Sequence, residues 1–284
     1  MPQPPIMGDI PAVRLSQVKP FSEVGCDYGG PFSLLRYRAR GAKSCKAYIC
    51  LFVCMATKAL HLELVSDLSS ETFLGALRRF ISRRGRCNHI YSDCGTNFVG
   101  ASRELINMLK SAAEQEQISW RFNPPSAPHF GGLWEAGIKS VKTHIKRVIG
   151  DQLLTYEEFY TLLVQIEAVL NSRSLCPQSS DPNDLSVLTP GHFLTLEPLN
   201  APPEDDLSGI KLNHLSRWQW ISRLHQSFWS RWSKEYLQTL LQRAKWNDST
   251  IPIEINSVVL IKDDNLIPLK WSIGRVLEIH PGQM

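Results

Sequence analysis

The longest apolar run in this chain, Ala47–Ala56 within "CKAYICLFVCMAT", is followed after Thr57-Lys58 by "ALHLELVS". The run is too short to cross a bilayer. In the second stretch Leu60, Leu62 and Leu64 alternate with His61 and Glu63, the two-residue period of a strand with one buried face. The short gap between the two predicts a hairpin. Upstream, "FSEVGCDYGGPF" predicts a short strand that stops at Asp27, because Gly29, Gly30 and Pro31 interrupt it. Three consecutive strands are thus expected before any helix.

The pattern then changes period. "SDLSSETFLGALRRFISRRG" carries Phe73, Leu74, Leu77, Phe80 and Ile81 as a helical stripe, with Ser69 or Ser70 as N-cap and Gly85 as terminator. A strand "NHIYS", a helix near Arg103–Ala113, a strand "ISWRF" and helices over Leu133–Ile149 and Tyr156–Asn171 follow. Strands first in a meander and then alternating with helices predict an α/β domain with a mixed central sheet. Residues 1–14 read as an irregular lead-in, 15–197 as the core, and 198–212 as the end of a Pro-, Ser- and Asp-rich connection. Residues 213–284 read as a long helix, about Leu215–Ala244, with a small β module behind it.

Composition narrows the chemistry. A formal charge of +4 announces no global attraction to nucleic acid, so local clusters must carry that case. The seven cysteines form no Cys-x-x-Cys pair and the eight histidines are scattered, so no zinc site is expected. Cys50 and Cys54 share one face of an apolar strand and suit core thiols. With no leader segment, a reducing, intracellular location and no membrane association are expected.

Three carboxylates stand at the ends of predicted elements. Asp27 closes the first strand, Asp93 closes "HIYSD", and Glu135 opens a helix after the Pro- and Gly-rich stretch "NPPSAPHFGG". Each alone reads as a turn or cap residue. Together, at the carboxyl ends of adjacent strands, Asp27 and Asp93 would face each other and Glu135 would be carried over by its helix. Clustered carboxylates repel unless a cation lies between them, and hard oxygen donors suit Mg²⁺ or Mn²⁺. Two such ions serve in-line phosphoryl displacement. On the following helix Glu135, Lys139, Lys142 and Lys146 fall on one line, beside the apolar stripe Ile138, Val141, Ile145 and Val148. Lysines so placed could hold phosphates of a long substrate, although a solvated helix face gives the same pattern.

"VGCDYGGPF", "YSDCGTNFVGA" and "NPPSAPHFGGLWEAGIKSVK" resemble the three signature blocks of the integrase catalytic core of LTR retrotransposons, in the form most similar to the BEL/Pao group. The similarity runs from about Leu15 to Glu197, and "INSVVLIKDDNLIPLKWSIGRVLEIHPG" resembles the C-terminal module of the same polyproteins. The resemblance implies a ribonuclease-H-like, five-stranded mixed sheet with flanking helices, followed by a small β-barrel module. It implies a divalent-metal polynucleotidyl transferase that trims the 3′ ends of element DNA and then joins them to target DNA. Asp27, Asp93 and Glu135 take the catalytic and metal-binding places, with two Mg²⁺ or Mn²⁺ ions expected. Lys139, Lys142, Lys146, Asn97 and His129 are candidate DNA contacts, and Gly131 and Gly132 would flex a loop ahead of Glu135. DNA, further copies of the chain and a nuclear location follow from the same resemblance.

The chain departs from the family in places. Cys94 stands where many integrases have Asn, and a thiol there would make activity sensitive to oxidation. Residues 94–134 separate Asp93 from Glu135, a longer spacing than in typical retroviral integrases. Nothing matches the family's zinc-binding His/Cys domain, and the tail stops at "HPGQM", so an incomplete barrel is expected. A domesticated or decayed DNA-binding relative without catalysis is the alternative. A nuclease of the same fold acting on RNA fits the Gly-Gly-Leu-Trp-Glu block less well. In "RWQWISRLHQSFWSRWSKEYLQTLLQRAKW", the residues Trp218, Ile221, Leu224, Phe228 and Trp232 predict a buried helix face, with stacking on nucleic acid as the rival reading.

Overall fold

The computed structural model describes residues 19–109, 118–123, 128–150, 152–179, 181, 183–202, 204–211, 214–240, 254–263 and 266–280. They divide into two compact units. One holds Lys46–Ser140 and the described chain up to Phe32, and the other holds Ser33–Cys45 and the described chain from Val141 onward.

The first unit is built on the expected meander and crossovers. Strands β1 (Glu23–Leu35), β2 (Ser44–Cys54), β3 (Leu60–Val65), β4 (His89–Ser92) and β5 (Ser119–Phe122) lie in the order β3-β2-β1-β4-β5. β2 and β3 pair antiparallel, whereas β4 pairs parallel with both β1 and β5. This is the mixed sheet that the strand order predicted, with the five strands that the resemblance implied.

β1 does not stop at Asp27; it continues to Leu35 through Gly29, Gly30 and Pro31. At Gly30, φ is +147° and a Cβ would lie 2.7 Å from the Tyr48 ring, so only glycine lets the neighbouring strand approach there. Gly30 therefore records close approach within the sheet and not a break.

Helix α1 (Ser70–Arg84) begins where expected: the Ser69 hydroxyl accepts from the Thr72 amide at 3.2 Å. Gly85, at φ +83°, ends it and donates its amide to the Ile81 carbonyl at 2.8 Å. Its buried face, Phe73, Leu74, Ala76, Leu77 and Phe80, packs on the sheet, where Phe80 stacks on Phe52 with centroids 4.5 Å apart. Helix α2 (Thr96–Leu109) starts earlier than predicted, immediately after the Asp93 turn, and residues 110–113 of that prediction lie outside the described set. Helix α3 (Pro128–Ile149) also starts early, so Gly131 and Gly132 lie in its first turns and not in a loop before it. Pro at the first helical position suits such a start, since its missing N–H has no intrahelical partner to lose.

In the second unit, α4 (Tyr156–Asn171) matches its predicted span and carries a reciprocal capping box between Thr155 and Glu158. The two-residue β6 (Leu154–Thr155) pairs with the Leu34–Leu35 end of β1. Residues 177–212, expected as a connection, include β8 (Val187–Leu188), which pairs with β7 (Cys176–Pro177), and the short α5 (His192–Thr195).

Helix α6 (Arg217–Leu240) buries Trp220, Ile221, Leu224, His225, Phe228, Trp229 and Trp232. The aromatic stripe is therefore core, with one correction: Trp218 is 62% exposed. Trp220 fills that level instead, with the Arg217 guanidinium 3.9 Å over its ring. Trp229, Trp232, Tyr236 and Trp271 cluster, and the Trp229 indole N–H donates to the Leu266 carbonyl at 3.0 Å. The tail in the described residues is a two-stranded antiparallel ribbon, β9 (Val258–Ile261) with β10 (Ser272–Arg275), and not a barrel. All seven cysteines are free, with Cys50 and Cys54 buried as expected. Among the described residues no helix is long and apolar enough to cross a membrane.

Candidate active site

The parallel pairing of β1 with β4 sets the geometry of the two aspartates. Its register runs Glu23 with His89, Val24 with Ile90 and Gly25 with Tyr91. Each pair differs by 66 in number, as Asp27 and Asp93 do, so the same register extended two residues beyond its last pair would bring these residues level. Neighbouring strands lie about 4.8 Å apart, which puts two such side chains within reach of one cation. Buried Cys26 reports the same closeness: burial first, then Cys50, Asp27, Cys87 and Asp93, push its thiol well above the usual range.

Local structure fixes each aspartate. Asp93 is exposed just past β4, and its Oδ1 accepts from the Gly95 amide at 3.0 Å, a turn that leads into α2. The turn residue and the candidate ligand are thus the same side chain. Beneath it, buried Ser92 accepts from the Trp120 indole N–H at 3.0 Å and donates to the Asp93 carbonyl at 2.8 Å. The alternation of His89, Ile90, Tyr91 and Ser92 hinted at an inward Ser92, but its tie to Trp120 on β5 needed the sheet order. Asp27 is half-buried and its Oδ1 accepts from the Tyr28 amide at 2.7 Å. Tyr28 stacks on Phe98 of α2 at 5.3 Å, which packs this part of β1 against the helix that Asp93 starts.

Glu135 lies in α3, two residues before Gly137. A Cβ at Gly137 would lie 3.2 Å from Leu51 Cδ2 and 3.9 Å from Leu60 Cδ2, so the helix backbone sits close on β2 and β3 there. The side chains of Glu135, Asn97 and His129 lie outside the described residues, as does that of Trp134 next to Glu135. Among the described residues no group of three His, Cys, Asp or Glu side chains could hold a metal ion. Hard carboxylate oxygens on Asp27 and Asp93 suit Mg²⁺ or Mn²⁺, and a soft or nitrogen-preferring metal finds no donor of its kind in that pair.

On α3, Ile138, Val141 and Ile145 are buried, Lys139 and Lys146 are exposed and Lys142 is half-exposed. The helix thus carries the predicted apolar stripe with the lysines alongside. Cys94 is exposed, and its Sγ lies 3.4 Å from the Asn123 carbonyl. A cavity of about 840 Å³ opens in the second unit, lined in part by Arg147, Glu204, Trp229, Arg231 and Glu235, and neither aspartate contributes to it.

Residues 216–284 match a family described as a family of unknown function, DUF5641. No curated protein matches the sequence. Among solved structures, a chain of the simian T-cell lymphotropic virus intasome in complex with PP2A regulatory subunit B56 gamma is similar at 17% identity and TM-score 0.45, over 66% of this chain and 59% of that one. The HTLV-2 integrase catalytic core domain in complex with magnesium is similar in its trimeric form at 14% identity and TM-score 0.40, over 62% of this chain and 98% of that one. Its dimeric form is similar at 18% identity and TM-score 0.39, over 55% and 90%.

Proposed function

We propose that this chain is a retrotransposon-type integrase core of the BEL/Pao kind, acting on DNA by divalent-metal-dependent polynucleotidyl transfer. The observation that carries the reading is that the β1–β4 register, extended two residues beyond Gly25 and Tyr91, brings Asp27 inside β1 level with Asp93 just past the carboxyl end of β4. A crevice at strand ends is where ligands bind in such sheets. The three ordered sequence blocks supply the third member, Glu135, on the helix that packs close at Gly137.

In this reading Asp27, Asp93 and Glu135 hold one or two Mg²⁺ or Mn²⁺ ions. Such ions, when bound, polarise the phosphodiester and favour ionisation of the attacking water or 3′ hydroxyl. The protein's own contribution is positional. The Gly95 amide and the Ser92–Trp120 bond hold Asp93, and the Tyr28–Phe98 stack holds the strand of Asp27. Lys139, Lys142 and Lys146 line the DNA path, and further copies of the chain would be needed to join two DNA ends together.

A joining assay tests this. Labelled duplex oligonucleotides are mixed with plasmid and the purified chain, in Mg²⁺ or Mn²⁺ against EDTA, with Asp93→Asn beside the parent. Metal-dependent joining that Asp93→Asn abolishes is the expected result. Joining that survives in the variant or in EDTA refutes the assignment. Salt-sensitive DNA binding without any joining favours the decayed, DNA-binding alternative.

A further inference from the structure

The turn between β1 and β2 carries Arg36, Arg38, Arg40 and Lys43 in eight residues with no acidic side chain, although the whole chain is only +4. The turn is closed by its backbone: the Arg36 amide donates to the Lys43 carbonyl at 3.2 Å and the Ala42 amide to the Ala39 carbonyl at 3.1 Å. Like charges are therefore held together on a short excursion, which costs Coulomb energy unless an anion arrives. Arg36, Arg40 and Lys43 are exposed and have no side-chain hydrogen bond or ion pair among the described residues.

Arg38 ties the turn to a hub. The Glu158 carboxylate, buried at the start of α4, takes Arg38 and also Arg217, whose Nε and NH2 donate to its two oxygens at 2.9 Å each. A second bond from Arg217 NH2 reaches the Leu153 carbonyl at 2.9 Å. Three large rings stand at this hub. Tyr37 adjoins Arg38 and is 58% exposed, Tyr156 sits two residues before Glu158 and is 49% exposed, and Trp218 follows Arg217 and is 62% exposed. Tyr156 also stacks on Tyr160, with centroids 6.3 Å apart, which braces its ring. Glu158 is thus engaged by two cations, Arg38 from the turn and Arg217 from α6.

We propose that the β1–β2 turn and the exposed rings around Glu158 form a nucleic-acid surface of their own, one that takes single strands by phosphate contact and base stacking. Basic residues interleaved with exposed rings are the pattern of single-strand sites, because every base has a face to stack and every linkage a phosphate to pair. A paired duplex offers no base face to Tyr37 or Trp218. The cores of protein interfaces are depleted in charged residues, and this surface is rich in them. The proposal does not depend on metal-ion chemistry at Asp27 and Asp93.

Fluorescence anisotropy of a fluorescein-labelled oligothymidylate with the full chain in EDTA tests it, across about 50–200 mM salt. The triple change Arg36→Ala, Arg40→Ala and Lys43→Ala should weaken binding at least tenfold and flatten the log–log salt slope by about 2, at roughly 0.7 per lost single-strand phosphate. Tyr37→Ala with Trp218→Ala should cost about tenfold with the slope unchanged, as loss of stacking does, whereas Tyr37→Phe keeps the ring and the affinity. All these side chains are exposed, so parent-like melting temperatures verify that the variants are folded. Because the measurement is made in EDTA, where metal-dependent joining cannot proceed, its outcome is separate from that of the joining reaction. Parent-like affinity and slope in both multiple variants overturn the proposal. So does competition by a duplex as strong as by the single strand, or a change in sedimentation of the triple variant with its oligonucleotide binding intact, which makes the surface a protein interface.

Discussion

Replacing His225 with Leu isolates one titration inside the second unit. His225 sits on the buried face of α6 at 3% exposure, and neither ring nitrogen has a hydrogen-bond partner among the described residues. Burial alone pushes the imidazole from its usual 6.5 down to about 4. The folded state therefore refuses a proton that the unfolded chain accepts, so stability is complete above the unfolded value and falls as pH drops from 6.5 toward 4. Integrating the linkage from neutral pH gives a loss of about 2 kcal/mol by about pH 5 and about 3 kcal/mol by about pH 4. The Leu variant lacks this loss and also removes an unsatisfied polar group, which is expected to gain about 1 kcal/mol even at neutral pH. Urea unfolding followed by tryptophan fluorescence measures both chains at each pH, and the difference between them cancels every other titrating group. A difference that stays constant from about pH 8 to about pH 5 would refute the reasoning, since it would mean that the imidazole reaches water or an acceptor in the folded chain.

Other outcomes follow from the geometry. Glu158 works against its own burial, but Arg217, the Thr155 amide and Arg38 hold its carboxyl down at about 2. Glu158→Ala should therefore destabilise by roughly 1–3 kcal/mol at neutral pH, because its partners are partly solvated, and acid should erase the penalty as the parent's carboxylate protonates below its usual 4.5. Thermal melting of both chains at neutral and acid pH checks the sign. Gly30→Ala should cost about 1–3 kcal/mol through its left-handed backbone and the Tyr48 contact, and the loss should shrink when Tyr48→Ala is added, as a double-mutant cycle reads. Lys139→Ala with Lys142→Ala and Lys146→Ala should weaken duplex binding and lower its salt slope by about 3. An unaltered slope in that variant would leave the lysines as a solvated helix face.

What the sequence conveyed and what it hid can be traced to particular residues. The Ser69 cap and the helical stripes are local signals, and α1 and α4 formed as expected. The alternation of Leu60, Leu62 and Leu64 gave a strand too, but both of its faces are buried, His61 and Glu63 included, because charged partners from α1 reach Glu63. Gly29-Gly30-Pro31 misled because the same glycines serve turns and close strand contact, and only the Tyr48 ring across the sheet decides between them. The early starts of α2 and α3 escaped notice because Gly95 and the glycines after Pro128 look like loop residues until the backbone is seen to coil. Trp218 was assigned to the core by spacing, but the first turn of a helix can extend past what covers it. Asp93 stands just past the end of β4 as its sequence suggests, whereas Asp27 lies inside β1 and not at its end, and the β1–β4 register is what relates the two. The run of cations without acids at Arg36–Lys43 is also visible in the sequence, but a strand expected to stop at Asp27 gives it no place in the sheet, and only the extension of β1 to Leu35 makes it a turn.

The β1–β4 pairing has a consequence for how the chain acquires its site. Residues 28–92 lie between the two aspartates, so the parallel pairing of β1 with β4 closes a loop that contains the β2–β3 hairpin and α1. Bringing such distant segments together carries a closure entropy of about 4 kcal/mol, which the aromatic packing of Phe52, Phe73 and Phe80 offsets. Until then the carboxylates are strangers in the chain, with no shared field. Anything that needs both of them will bind the native state and ignore earlier ones, so such a ligand would act as a thermodynamic lock on the completed sheet.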